Sequence, residues 1–209
     1  MDYDLTAFDA LRSARGMMTI REIVNLVDQG NIIFDPFSVL ISSDVRIGTG
    51  NIIHSCVSLL TSSEGEMSIG DGNTFHPNCS FLAEGAVIKI GCRNQFGEGG
   101  FIAKANRKGT HIEISNDGRY LGGASVFGNT KLGDGCQLLG SMNVYNCVLE
   151  GGDSWRDGDP DQRGALLKGT GAARGLTLAR GQVIAGQGAF NMDDVKSQSF
   201  FHPTAGTRT

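Results

Sequence analysis

Large apolar residues recur at every sixth position through most of this chain. Three related stretches, VRIGTGNIIHS, MSIGDGNTFHP and IKIGCRNQFGE, carry the pattern from Ile47, Ile69 and Ile90. This spacing fits neither the period of an α-helix nor the simple alternation of a strand with solvent on one side, but it suits short strands separated by tight turns. The pattern therefore predicts an all-β fold, a parallel β-helix of about six coils in which three short strands make each coil.

The same spacing predicts which side chains point into the core. After Ile114 it continues without interruption for two coils. The predicted inward residues are Ile47, Ile53, Leu59, Ile69, Phe75, Phe81, Ile90, Phe96, Ile102, Ile114, Tyr120, Val126, Leu132, Leu138 and Val144. Residues in excess of three hexads per coil are expected to loop out, at 62–66, 84–87 and 106–110.

Asn51, Asn73 and Asn94 each lie four residues after the leading Ile of a repeat. Asn tolerates the left-handed backbone of a tight turn, and stacked Asn amides can form a hydrogen-bonded ladder. These residues are therefore expected to mark one corner of the coil.

The repeats divide the chain into five segments. A capping box at Thr19 and Glu22 predicts a helix that ends at Gly30 and covers the open edge of the first coil. The segments are a helical cap at 1–38, β-helix coils at 39–150, an inserted loop at 151–174, a final coil at 175–190 and a mobile tail at 191–209. The loop is rich in Asp and contains the single Trp, Trp155.

Composition narrows the range of partners. The net charge is -4 and the pI about 5.5, without a Lys and Arg cluster that would follow a phosphate backbone, so a nucleic-acid partner is not expected. The chain lacks a signal-peptide layout and an apolar run of roughly 18 residues, so no membrane association is expected. Five cysteines without a CxxC pair fit reduced thiols. A cytoplasmic protein is predicted.

The phased IGTGN, IGDGN and LGDGC units and the terminal VIAG resemble the left-handed β-helix hexapeptide-repeat superfamily, over residues 39–190. Left-handedness comes from this resemblance alone, since right-handed crossovers are the rule elsewhere. Members are typically homotrimers with sites in the grooves between subunits. The resemblance therefore implies self-association and a small-molecule substrate.

One branch of that superfamily is the acyltransferases that use CoA, whose last coil commonly reads V-x-A-G-N-P-A-K. The corresponding stretch here is VIAGQGAF, from Val183 to Phe190, in which Gly188 replaces the usual Pro and Phe190 the usual basic residue. Resemblance to this branch implies acyl-CoA as donor. The residues implied to contact it are Gly186, Gln187, Gly188 and Ala189.

The acyltransferase branch uses a His as general base towards a hydroxyl or amine acceptor. His54 and His76 are the candidates for that catalytic role, because each follows an inward residue and both should point outward, one above the other. Trp155 is the candidate substrate-binding residue, on a loop that can close over the acceptor. The plainer interpretation of the two His residues is a solvent-facing polar ladder near a subunit contact.

Two other branches remain open. γ-Carbonic-anhydrase-like proteins bind zinc through three His, which makes zinc a possible cofactor here; Gly97 occupies the third stacked position, so His111 or His202 would have to contribute, and no metal ligands are assigned. The small β-helical subunits of dynactin are non-catalytic assembly proteins, and IGCRNQFGEGGFIAKA at 90–105 resembles their repeats. The first interpretation is an acyltransferase, if the chain is an enzyme, and the main alternative is a scaffold.

Overall fold

Short parallel strands wind around a single core in the computed structural model, which describes residues 5–62, 64–156 and 158–202. The first eighteen strands form six triplets, and each triplet supplies one strand to each of three faces. An all-β parallel β-helix behind an N-terminal helix is thus confirmed, and its left hand stays a prediction.

Each face is a parallel sheet that runs along the solenoid axis. The first face contains β1 (Ile32–Ile33), β4 (Ile52–Ile53), β7 (Thr74–Phe75), β10 (Gln95–Gly97), β13 (Arg119–Leu121) and β16 (Gln137–Leu139). The second contains β2 (Leu40–Ile41), β5 (Ser58–Thr61), β8 (Cys79–Ala83), β11 (Phe101–Ala105), β14 (Ser125–Phe127) and β17 (Met142–Tyr145). The third contains β3 (Arg46–Ile47), β6 (Glu66–Ile69), β9 (Val87–Ile90), β12 (His111–Ile114), β15 (Thr130–Leu132), β18 (Val148–Leu149) and β20 (Thr177–Leu178).

Two long strands close the solenoid. β19 (Leu166–Arg174) and β21 (Gln182–Ala189) each run from the first face into the second, so these two faces become one sheet. Gly169 allows the bend because its φ is +126°, and a Cβ there would lie 1.9 Å from the carbonyl oxygen of Gly186. The corner can be turned without breaking the strand only where a side chain is absent.

Two helices precede the first coil, α1 (Thr6–Ser13) and α2 (Ile20–Asp28). The predicted capping box of α2 is present, with Thr19 and Glu22 bonded to each other's backbone. α2 buries Ile20, Ile23 and Leu26, and the last of these belongs to the main core. The helix thus covers the apolar end that the first coil would otherwise expose.

A column of buried Asn side chains lines the corner between the third and first faces. Asn31, Asn51, Asn73 and Asn94 are at most 2% exposed. The Oδ1 atoms of the first three each accept hydrogen bonds from the backbone N–H and the amide of the next Asn, at 2.9 to 3.1 Å. The predicted Asn corner is thus confirmed, and it begins one coil earlier, at Asn31. The left-handed backbone expected for these Asn residues is wrong, because the positive φ falls on the preceding residue, at Gly50, Gly72 and Arg93.

Tyr120 ends this column. The next corner position is Gly118, whose N–H donates to Asn94 Oδ1 at 2.8 Å. A Cβ on Gly118 would lie 2.1 Å from the Tyr120 hydroxyl oxygen, so the Tyr side chain occupies the place of the next Asn. Full burial raises the pKa of Tyr120 well above its ordinary value. The aromatic ring stacks on Phe96 at 5.2 Å and continues the core.

The predicted inward position of Ile102 is wrong. Ile102 is 42% exposed, whereas Phe101 and Ala103 are buried. Ala103 pairs with Phe81, so the turn after Phe96 is one residue longer than a hexad. Because side chains alternate along a strand, one extra residue reverses which of them face the core. Phe101 fills the space instead.

Segment boundaries also differ in places from the sequence-based ones. β1 lies within 1–38, and β19 lies within the segment interpreted as an inserted loop, 151–174. The sequence of β19, LLKGTGAAR, lacks the six-residue spacing because this strand turns a corner at its glycines.

Residues 192–202, expected to belong to a mobile tail, form short 3₁₀ turns (Met192–Asp194 and Gln198–Phe201) around β22 (Lys196–Ser197), which pairs with β21. Another 3₁₀ turn, Pro160–Gln162, lies in the loop before β19.

All three predicted loops leave the solenoid at one corner, between the second and third faces. They connect β5 to β6, β8 to β9 and β11 to β12. In the following two coils only two residues separate the strands at this corner. The outline of the molecule therefore steps inward after the loop at 106–110.

Asn73→Ala is expected to lower the free energy of unfolding by about 3 kcal/mol, because a buried backbone donor and two amide partners lose their hydrogen bonds. Urea denaturation monitored by circular dichroism measures this. Asn143→Ala, on the exposed side of β17, is the control and should change stability by less than about 0.5 kcal/mol. Equal losses in the two variants would contradict a structural role for the Asn column.

Candidate functional site

His54 and His76 lie on the outside of the first face. Their preceding residues, Ile53 and Phe75, are paired across β4 and β7 and point into the core. This register places the two imidazoles one above the other, with ring centroids 5.2 Å apart and planes inclined by 9°. The two predicted site residues are thus brought together.

The two rings belong to a longer row. Phe34 stacks on His54 at 4.4 Å, also with planes 9° apart. The row ends after His76 because Gly97 takes the next position, where a Cβ would lie 2.3 Å from the Cβ of His76. We call Phe34, His54 and His76 the aromatic stripe.

The chemistry of the stripe follows from its partners. Burial against its neighbours, and then the nearby His76, lower the pKa of His54 below the ordinary value of 6.5. His76 Nε2 lies 3.5 Å from the side-chain nitrogen of Gln95, at the outer limit of a hydrogen bond. No described carboxylate makes a hydrogen bond or ion pair with either ring. A general base is usually oriented by such a third group; the catalytic role of His54 and His76 stays a prediction.

Zinc is a possible cofactor by the resemblance to the γ-carbonic-anhydrase-like branch, with His111 or His202 required beside this pair. His111 begins β12 on the third face and His202 lies at the C-terminal end, so neither shares the stripe. Among residues 5–62, 64–156 and 158–202, no group of three or more His, Cys, Asp or Glu side chains is placed to hold a metal ion.

Trp155 is held by cations. The guanidinium of Arg119, on β13 of the first face, lies 4.7 Å from the centre of the indole ring, and that of Arg156 lies 4.4 Å from it. Cation–π contacts of this kind attach a loop to the surface below it. The loop therefore folds over the first face, the same face as the aromatic stripe but further along the axis.

The acidic residues of this loop are spread among separate contacts. Asp159 accepts from the N–H of Asp161 at 3.0 Å, and Asp161 accepts from the N–H of Ser199 at 2.9 Å, which lowers the pKa of Asp161. Asp157 lies outside the described residues. The two carboxylates thus bind backbone rather than converge on one point.

The C-terminal end of the first face carries a cavity of about 440 Å³. Of the four residues predicted to contact CoA, Gly186 and Gln187 line it and Gly188 and Ala189 do not. The described residues that line it are Leu166, Lys168, Gly169, Val183, Ala185, Gly186, Gln187, Gln198, Phe201 and His202. Strand β19, which lines the cavity, lies four strand spacings from β7, the strand that precedes His76, or about 19 Å along the axis. Within one chain the candidate base and this cavity are therefore far apart.

Sequence reasoning missed Phe34 and Lys168. A signal for Phe34 was present, since Asn31-Ile32-Ile33 repeats as Asn51-Ile52-Ile53 and places Phe34 in register with His54. No comparable signal marked Lys168, because β19 does not keep the hexad spacing.

Comparison with known proteins does not extend these observations. No family model matches the sequence. A search of curated proteins likewise gave no match. Within the described chain, no helix has the length and apolar character required to cross a membrane.

The lowered pKa of His54 predicts a pH dependence of stability. Protonation of His54 favours the unfolded chain, whose His titrates near 6.5, so this contribution is complete above that value and declines as the pH falls towards the folded pKa. We expect His54→Gln to lose less stability than the wild type between about pH 8 and about pH 5. Urea midpoints across this range measure the difference.

Proton NMR of the imidazoles gives the direct readout. His54 should titrate below 6.5, and His76→Gln should raise its midpoint part of the way, because the like charge is removed while burial persists. A midpoint at or above the ordinary value in the wild type would refute the assignment.

Proposed function

We propose that this chain is a non-catalytic assembly protein, a β-solenoid of the hexapeptide-repeat type that binds a partner protein through its first coil. The observation that carries the proposal is a patch of exposed apolar side chains around that coil, which we call the apolar rim. It consists of Phe8 (58% exposed), Ile32 (54%), Phe34 (63%), Phe37 (57%) and Leu40 (36%).

Four of the five rim residues lie within one short stretch, 32–40, and the fifth, Phe8, is on helix α1 and contacts it. The rings of Phe8 and Phe37 meet edge to face at 6.5 Å, and Phe34 continues into the aromatic stripe through His54. Single exposed apolar residues are common, but a contiguous apolar patch usually marks a surface that a partner covers. Phe is also enriched in protein interfaces.

The surroundings of the stripe support binding rather than catalysis. Among the described residues neither imidazole has a carboxylate to orient it, and the cavities of about 440 and 420 Å³ are lined by other residues. The resemblance of residues 90–105 to the small β-helical subunits of dynactin points the same way, although a shared fold alone does not establish a shared function.

Replacing Phe34 and Phe37 together by Ser should release the chain from its assembly, because two large exposed anchors are lost while the core is untouched. The protein is tagged in its native cells, and its complexes are sized by gel filtration and mapped by chemical cross-linking. Phe200→Ser, at an equally exposed Phe near the C-terminal end (65%), is the control and should leave the assembly intact.

Wild-type protein that runs alone, or that cross-links only to copies of itself, contradicts the proposal. So does a double variant that stays in the assembly.

A second candidate function is acyl transfer from CoA, as the superfamily resemblance implies. It is supported by the 440 Å³ cavity, which combines Gly186 and Gln187 with apolar walls and the cation of Lys168. Such a cation suits a phosphate group of CoA. Because His76 is distant within one chain, it could serve as the base for this reaction only from a neighbouring copy in a homotrimer, whereas His202 lines the cavity of the same chain.

If the cavity binds CoA, saturating CoA should raise the melting temperature by roughly 5 °C. Lys168→Ala should abolish the shift, because the phosphate loses its cation. Lys89→Ala, on the exposed side of β9, should retain it. Scanning fluorimetry measures all three proteins, and an absent shift, or equal shifts in the two variants, removes the acyltransferase candidate.

A further inference from the structure

A second cavity, of about 420 Å³, lies where the corner between the second and third faces steps inward. The loop at 106–110 overhangs it, and the tight turns of the next two coils form its floor. Thr110 fixes the loop by donating from its hydroxyl to the carbonyl oxygen of Arg107 at 2.7 Å. The lining residues are Asn106, Arg107, Thr110, Phe127, Gly128, Asn129, Tyr145, Asn146 and Arg174.

One wall of this cavity is a stacked column along the axis. Phe127 and Tyr145 are paired across β14 and β17, and their rings stack at 4.8 Å. The guanidinium of Arg174 lies 4.0 Å from the centre of the Tyr145 ring. This cation–π contact holds the charge of Arg174 in place at the cavity wall without neutralising it.

The floor presents hydrogen-bond donors. Asn129 Oδ1 accepts from the N–H of His111 at 2.8 Å, and Asn146 Oδ1 accepts from the N–H of Asn129 at 2.9 Å. Because each amide oxygen is engaged by a backbone donor, the orientation of both amides is determined. Their NH₂ groups, which make no described hydrogen bond, are left to bind a ligand.

The cavity is therefore rich in donors and positive charge. Arg107 and Arg174 contribute two guanidinium groups, and neither forms an ion pair with another described residue. None of the nine lining residues is acidic. We propose that this cavity binds a phosphomonoester, held by Arg107, Arg174 and the amides of Asn129 and Asn146.

The number and arrangement of donors favour a phosphomonoester over a carboxylate. A phosphomonoester carries a charge of about -1.5 to -2 on three acceptor oxygens, which matches two cations and additional amide donors from different elements. A carboxylate carries a single charge on two oxygens. Both faces of the Tyr145 ring are covered, by Phe127 and Arg174, so a nucleobase cannot stack on Tyr145.

The ester can belong to a free metabolite or to a phosphorylated side chain, and calorimetry on the full chain distinguishes the two sources. The probes are glycerol 3-phosphate, the peptide Gly-Gly-phosphoserine-Gly-Gly, and the same peptide with Glu in place of phosphoserine. Both phosphate probes should bind, and a clear preference for one of them identifies the source. The Glu peptide should bind at least about tenfold more weakly.

Arg107→Gln and Arg174→Gln should each weaken phosphate binding at least about tenfold. The two residues lie on separate elements, so a folding defect in one variant leaves the other informative, and circular dichroism checks both. Arg21→Gln, on the exposed side of α2, removes the same charge elsewhere and should bind as the wild type does.

Three results overturn the proposal: no binding of either phosphate probe, equal binding of the Glu peptide, or an equal loss in Arg21→Gln. None of these bears on the apolar rim at the opposite end of the solenoid, so the assembly function is tested independently.

Discussion

The buried Asn column is the interaction on which the rest of the molecule depends. Strands of two to five residues cannot hold a register by themselves, and a one-residue slip would reverse every side chain. At the corner of the first four coils each Asn bonds to the backbone and the amide of the next, which aligns these coils with one another. Asn31 also bonds to the carbonyl oxygens of Leu26 and Gly48, so the same column attaches helix α2 to the first coil.

The register of the strands, which the buried corner sets, also determines how the outward-facing side chains are arranged. Outward residues at equivalent positions stack along the axis, which gives both the aromatic stripe of Phe34, His54 and His76 and the column of Phe127, Tyr145 and Arg174. A solenoid thus converts the choice of one residue per coil into a continuous surface. We infer that function in this chain resides in such surfaces, the apolar rim for a partner protein and the donor-rich corner for an anion.

Irregularities in the repeat create the local features. The longer turn after Phe96 exposes Ile102 and buries Phe101, and Gly97 ends the aromatic stripe. The loop at 106–110 followed by two tight corners opens the 420 Å³ cavity. Glycine at 169 and 171 carries β19 around a corner and merges two faces. Each feature arises where a residue is added or a side chain is missing.

The sequence by itself determined the parallel β-helix, the Asn corner and the stacking of His54 on His76, because these depend on spacing that recurs from coil to coil. It also determined the capping box of α2, which depends only on Thr19 and Glu22 lying three residues apart. It did not determine which residues of β11 face the core, the extent of β19 or the packing of residues 192–202. A single extra residue, or a glycine at a corner, occurs once and produces no repeating pattern in the sequence. Only the tertiary structure decided that Arg107, Asn129 and Arg174, which lie on three different coils, share one cavity. Their proximity depends on how far each coil extends at a corner, and that is a property of neighbouring coils rather than of any one segment.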